Sequence, residues 1–287
     1  MTARDRTRSM RAILFVTLAL SATRPASAQE AEEPSATGRG DGGATAAASR
    51  VDDPDLEWWP WLATVPLLAT TLVVDVAVPS DAPRWSRFGP MDRAFSSWAR
   101  DTIEGRRRAA RASDIFLLAT AAAPLVDAIS WNQAGTSRSR VTYRLLTVDS
   151  LGFALQGLLS VSLKHALRRP RPYVASCEAD PAHDPGCDSS SRFQSFTSGH
   201  AAAAFTGAAL VCAHQRLRGR TLLGHIECAT ALAFASFTGA LRIVAERHYV
   251  SDVIGGALIG LISGYLLPLL LYPRQLPAPR GEQPTAW

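Results

Sequence analysis

Six apolar stretches divide the last four-fifths of the chain: 61–78, 115–131, 145–163, 200–217, 221–241 and 253–272. Their length and their Ala and Leu content predict helices rather than strands. The last, VIGGALIGLISGYLLPLLLY, carries no charge over a length that can cross a bilayer, and is the strongest candidate span. Several of the others hold a polar residue inside the apolar pattern: Asp75, Asp127, Asp149, Gln156 and Glu227. No internal repeat of fixed period is present. Trp58, Trp59 and Trp61 open the first stretch, either as an interfacial aromatic belt or as a core cluster. Between the first two stretches, residues 80–113 form an Arg-rich connector. Phe95, Trp98 and Ile103 give it a helical amphipathic pattern suited to a membrane surface.

The pattern changes at the start. Arg4, Arg6, Arg8 and Arg11 precede the short apolar run 12–22, and Ala26-Ser27-Ala28 follows as a small-x-small cleavage site. This is the layout of a secretory leader, expected over 1–28. Residues 29–57 are rich in Gly, Ala, Ser and acids and are expected to be a linker without a core. The expected division continues with an apolar helix and connector over 58–113, a helical core over 114–273 and a tail over 274–287.

Composition places the 287-residue chain between classes. Hydrophobic residues make up 47% and charged residues 19%, yet the mean hydropathy is only +0.04. The net charge of +5 is spread over arginines that form no long basic tract with interleaved aromatics, so a nucleic-acid partner is not expected. Cys177 and Cys187 flank the polar loop CEADPAHDPGC, and in an exported chain they are expected to pair. Cys212 and Cys228 sit in apolar helical runs and are expected to be buried, unpaired small hydrophobes.

The chemistry gathers in three polar clusters at the edges of the later stretches. Lys164 is the only lysine in the chain, and it stands seven residues before Arg171-Pro172. A compact ammonium at a site that tolerates no guanidinium explains its retention among so many arginines. Ser198, Gly199 and His200 open the 200–217 stretch, where helix N–H groups favour an anion and Gly199 permits close backbone approach. Arg242, His248 and Asp252 form the third cluster, with His248 and Asp252 four apart. If those two begin a helix they share a face, and the carboxylate orients the imidazole. One ammonium and two guanidinium forks suit a phosphate. His248 is the candidate nucleophile and His200 the candidate acid for the leaving oxygen.

Lys164-x6-Arg171-Pro172, Ser198-Gly199-His200 and Arg242-x5-His248-x3-Asp252, followed by Val253-Ile254-Gly255-Gly256, resemble the three-part signature of the type 2 phosphatidic acid phosphatase superfamily. That superfamily includes bacterial class A acid phosphatases and vanadium-dependent haloperoxidases. The resemblance covers about 110–272. Two positions depart from it: Thr197 stands where the family has proline, and Leu241 where it has serine.

The resemblance implies an all-α bundle of about six apolar helices, mostly transmembrane, with the active site at the extracytoplasmic helix ends. It implies a hydrolase acting on a lipid phosphate or diphosphate through phosphohistidine at His248, with Asp252 orienting it and His200 as acid. Lys164, Arg171, Ser198, Gly199 and Arg242 then hold the phosphoryl oxygens. No metal or cofactor is expected. The implied setting is a bacterial inner membrane, or alternatively the periplasm. The other readings are a broad-specificity acid phosphatase, a vanadate-binding haloperoxidase and a non-catalytic relative. The topology contains a conflict. Arg216, Arg218, Arg220 and Arg274 read as cytoplasmic. A cleaved leader followed by six spans would place the first cluster on that same side. Either the stretch 61–78 does not fully cross, or the N-terminal segment is not a working leader, or the domain is a largely soluble periplasmic bundle; the low mean hydropathy and the acids within the helices favour a first helix that crosses in part or lies at the surface.

Overall fold

The computed structural model describes residues 59–85, 88–99, 102–132, 138–217 and 221–272. The leader expected over 1–28, the linker over 29–57 and the tail over 274–287 lie outside the described residues, as do Trp58, Arg218, Arg220 and Arg274. The helices are α1 (Trp59–Ala77), α2 (Pro90–Ala94), α3 (Ile103–Asn132), α4 (Arg138–Leu167), α5 (Val174–Cys177), α6 (Gly199–Leu217), α7 (Leu222–Val244) and α8 (Val250–Leu261). A π turn, Ile262–Leu266, carries α8 into α9 (Leu267–Leu271). The described residues are all-α, with no strand among them.

Five segments are long and apolar enough to cross a membrane: Pro60–Ala77, Ile103–Ser130, Thr142–Leu167, Leu222–Val244 and Val250–Leu271. Around the bundle they expose large apolar side chains, among them Leu62, Val65, Val73 and Val76 on α1, Ile115 and Leu118 on α3, and Leu222, Leu223 and Phe237 on α7. Such a belt marks a surface made for lipid, and the protein is a membrane protein. The sixth apolar stretch behaves differently. α6 packs against α3, α4, α7 and α8 at the centre. It buries Ala201, Ala202, Ala204, Ala208, Ala209 and Ala213 there. Alanine brings backbones close, and a helix surrounded by protein has no lipid face to make greasy.

α1 runs along α4 for its whole length. At one end Trp61 Nε1 donates to Tyr143 Oη at 3.0 Å. At the other, His165 lies 2.9 Å from Ser80 Oγ and 3.4 Å from Asp75 Oδ1. Nineteen helical residues span roughly 28 Å. That is enough to cross a bilayer, and Pro60–Ala77 is one of the five candidate spans. The amphipathic connector is corrected. It is not one surface helix but α2, a 3₁₀ turn at Ser96–Trp98, and the first turns of α3. α3 begins at Ile103 and runs unbroken across residue 113, because Ala109, Ala110, Ala112 and the arginines form helix well without an apolar stripe. The apolar pattern marked only where that helix turns greasy.

The acids inside the helices have partners. His214, on the last turn of α6, takes Asp127 of α3 at 2.8 Å from Nδ1 and Asp149 of α4 at 2.9 Å from Nε2. Cys212 and Cys228 are joined as a disulfide between α6 and α7, which corrects the expectation of two unpaired hydrophobes. Antiparallel neighbours joined by a short turn bring residues 16 apart face to face.

α6 and α8 meet backbone to backbone. Gly256 and Gly260 stand four apart, and a Cβ at either would lie 2.6 Å from a backbone oxygen of α6's face, Ser198 O and Ala202 O respectively. Gly264 continues the stripe against Thr206. Asp252 lies one turn before Gly256 on the same stripe, so this contact presses it against the start of α6. Gly260→Val should lower stability in detergent by roughly 1–3 kcal/mol through overpacking. Thermal unfolding of the purified variant checks this; an unchanged midpoint would contradict it.

Candidate active site

All three sequence clusters arrive at one end of the bundle. Lys164 lies in the last turn of α4 and Arg242 in the last turn of α7, while Gly199 opens α6 and Asp252 sits in the first turn of α8. α4 ends at Arg168, whose φ of 43° is left-handed, and Pro170 and Pro172 prevent its resumption. Arg171 is then fixed by its own backbone. Its amide donates to Arg192 O at 2.8 Å and its Nε to Ser191 O at 3.1 Å. Lys164, Arg171 and Arg242 are near enough to act on one another electrostatically. The approach of Lys164 to α6 is tight, for a Cβ on Gly199 would stand 3.0 Å from Nζ. Arg242 Nε is a buried donor with no hydrogen-bond partner among the described residues.

Ser198 is buried and caps α6. Its Oγ accepts from Ala201 N at 3.3 Å, and its own amide donates to Asp252 O at 3.0 Å. His200 projects from the next position, and its Nε2 donates to Asp114 Oδ1 of α3 at 2.9 Å.

His248 precedes α8 instead of starting it, and that changes its expected partner. Nδ1 donates to the carbonyl of Ser195 at 2.8 Å, whereas Asp252 Oδ2 is 3.9 Å away. Asp252 itself is fully buried. It accepts from Ser195 Oγ at 2.6 Å, Tyr249 N at 2.9 Å and Arg169 Nη1 at 2.5 Å. The carboxylate therefore holds Ser195, and Ser195 holds the imidazole. With Nδ1–H engaged, Nε2 keeps its lone pair. Burial pushes His248 down to about 3; Asp252 opposes this, while Arg171 and Arg242 add to it.

Arg169, between Lys164 and Arg171 in the sequence, was not singled out by the motif. It has no exposed surface. Besides Asp252 it donates to Ser251 Oγ at 2.7 Å and to Asp92 Oδ2 of α2 at 2.6 Å, and it lies over the rings of Trp85 and Tyr249 at 4.5 and 4.4 Å. Asp92 also accepts from Ser251 N at 3.0 Å. Burial alone would raise the Asp92 carboxyl, but the Ser251 amide and the Arg169 guanidinium hold it below its ordinary value.

The loop that follows Arg171 is closed by the Cys177–Cys187 disulfide. His183 Nε2 donates to Glu246 Oε2 at 2.8 Å and Arg247 pairs with Asp184 at 3.2 Å, so the loop grips the segment just before His248. A mostly apolar cavity of about 340 Å³ opens beside His248, walled by Phe88, Phe95, Pro172, Ile243 and Tyr249. Of the two departures, Thr197 is buried with no partner for Oγ1 among the described residues, and Leu241 is half-buried on α7.

Residues 149–275, from α4 through α9, match the family model described as PAP2 superfamily. The Lipid A 1-phosphatase of Porphyromonas gingivalis is 33% identical over 144 residues, which is 50% of this chain and 28% of that protein. The chain thus spans well under half the length of that relative. No solved structure matches the chain. The family stretch excludes α1 to α3, and with them Asp92 and Asp114.

Arg169→Met should destabilise the protein by about 3–5 kcal/mol, because Asp92 and Asp252 would be left buried without their cation. Chemical unfolding in detergent measures this; a loss below about 1 kcal/mol would contradict the central place given to Arg169.

Proposed function

We propose that this chain, whose helical core matches the PAP2 superfamily model, is a membrane phosphatase that hydrolyses a lipid phosphate or diphosphate through phosphohistidine at His248. The observation that carries the reading is the state of His248. It is buried, neutral and fixed at Nδ1 by Ser195 O, with its free nitrogen in the field of Arg171 and Arg242.

The phosphoryl group sits among Lys164, Arg171 and Arg242 at the amino end of α6, where the unpaired Arg242 Nε finds an acceptor. Nε2 of His248 attacks phosphorus as the bond to the leaving oxygen breaks, and His200 gives that oxygen a proton. Water then attacks the phosphohistidine, returns a proton to His200 and frees inorganic phosphate. The cations are fixed before charge develops, and each well-placed donor of this kind contributes a factor of about 10²–10³. The apolar belt and the apolar cavity beside His248 suit a lipid, and a relative named for a lipid A phosphate supports the same class.

We place the site on the extracytoplasmic face. The disulfide loop lies at the site's end, and Arg216 lies in the last turn of α6, at the other, with Arg218 and Arg220 next in the sequence. On this reading α1 crosses fully, and as it ends beside His165 it starts on the cytoplasmic side. A leader cleaved after Ala28 is incompatible with that path, so the run 12–22 is retained on this reading.

Purified protein in detergent, with EDTA present, should release phosphate from at least one of lipid A, phosphatidic acid and an isoprenoid diphosphate, and His248→Ala should abolish release. No release from any lipid, with turnover of p-nitrophenyl phosphate alone, would point instead to a broad acid phosphatase. Lys164→Arg should lower kcat/KM at least about tenfold, since a guanidinium does not fit against Gly199; near-normal activity would contradict the role given to the lysine. The nucleophilic, neutral form of His248 exists above its pKa of about 3. Titrating kcat/KM downward from pH 7 to 5 should therefore show no loss from this group, and an acid limb near 6.5 that remains in His200→Ala would contradict it.

A further inference from the structure

Asp114 lies at the head of the apolar part of α3, outside the family stretch and outside every motif in the sequence. Its Oδ1 accepts from two groups at once, His200 Nε2 at 2.9 Å and Arg242 Nη1 at 3.3 Å. It is more than half exposed and His200 about one-third exposed, so the pair stands at the open side of the site, while His248 is buried at its floor. Burial, with the Arg242 and Lys164 charges, pushes His200 down to about 4, and Asp114 is the carboxylate that opposes them. With Nε2 committed to Asp114, the other nitrogen is the one available to substrate, and Nδ1 has no hydrogen-bond partner among the described residues.

We propose that Asp114 is the positioning residue of the acid step: it fixes His200 by Nε2–H and sustains the imidazolium, so that Nδ1 delivers the proton to the leaving oxygen. The inference rests on the role given to His200 above. As the phosphorus–oxygen bond breaks and His248 Nε2 bonds to phosphorus, the proton on Nδ1 passes to the departing oxygen. His200 is left neutral with its Nε2–H still on Asp114. The water that opens the phosphohistidine loses its proton to the same Nδ1, which restores the imidazolium. The shared contact with Arg242 ties this acid to the phosphate cage, so a shift of α3 would move both.

A poor leaving group needs the acid and a good one does not, which separates this role from a structural one. Two substrates with the same long alkyl tail serve: an alkyl phosphate and a nitrophenyl phosphate bearing that tail. Asp114→Asn should lower kcat/KM, which reports phosphoryl transfer and not the shared opening of the phosphohistidine, by about 100-fold on the alkyl phosphate and by only a few-fold on the nitrophenyl phosphate, and Asp114→Glu should recover part of the difference. His200→Ala should show the same selectivity at larger size. Equal losses on both substrates for Asp114→Asn, or no loss on either, alongside a selective His200→Ala, would overturn the inference and leave the mechanism standing. A His200→Ala variant impaired equally on both would overturn the acid role itself, and the inference with it.

Discussion

Arg169 carries its charge with no surface exposed to solvent, and three separate pieces of the chain depend on it. Its guanidinium joins the loop after α4 to Asp252 and Ser251 of α8 and to Asp92 of α2, and aromatic rings cover its faces. A buried ion pair is not in itself a strong source of stability, because desolvation offsets much of the attraction. What it gives here is geometry. Asp252 can accept only from donors that stand in fixed directions, and those donors are Arg169, Ser195 and the Tyr249 amide. Ser195 in turn fixes Nδ1 of His248 and leaves Nε2, the nitrogen proposed to attack, unengaged.

The glycine stripe of α8 serves the same end from below. With backbone touching backbone at Gly256 and Gly260, α6 and α8 cannot slide or tilt without a clash, and the Ser198 amide is held on the Asp252 carbonyl. Inside a membrane, small residues and interhelical hydrogen bonds do what apolar burial does in water. The consequence is a rigid floor at one end of the bundle. There the cations of α4 and α7, the amino end of α6 and the imidazole before α8 face a common space.

Much of this was legible in the sequence, for an identifiable reason. Lys164, Arg171, Ser198, Gly199, His200, Arg242, His248 and Asp252 have the residue types and spacings that a phosphate site demands, and the structure brings them to one end. Residues that support them from elsewhere in the chain were not legible. Asp92 and Asp114 lie in or beside an Arg-rich connector where an acid looks like ordinary surface charge. Ser195 acts largely through its carbonyl, which every residue possesses. Arg169 stood within the first motif but was hidden by its neighbours, the three arginines and two prolines of LRRPRP giving no sign of which cation turns inward. The apolar pattern found each long helix but misplaced the start of α3, because alanine and arginine extend a helix past its greasy part. It also treated α6 as another span, although α6 is the helix the others enclose. Thr197 and Leu241 differ from the family's proline and serine without removing any group placed around the phosphate, and the structure accommodates both.

The account stands or falls on covalent chemistry at His248. Brief mixing of the purified protein with a lipid phosphate substrate, followed by quenching under alkaline conditions and peptide mass analysis, reads that step directly. A phosphoryl group on the peptide holding His248, formed and lost at rates that match turnover and missing from His248→Ala, is the predicted result. Steady release of phosphate with no phosphorylated histidine, or with the phosphoryl group on another residue, would contradict it.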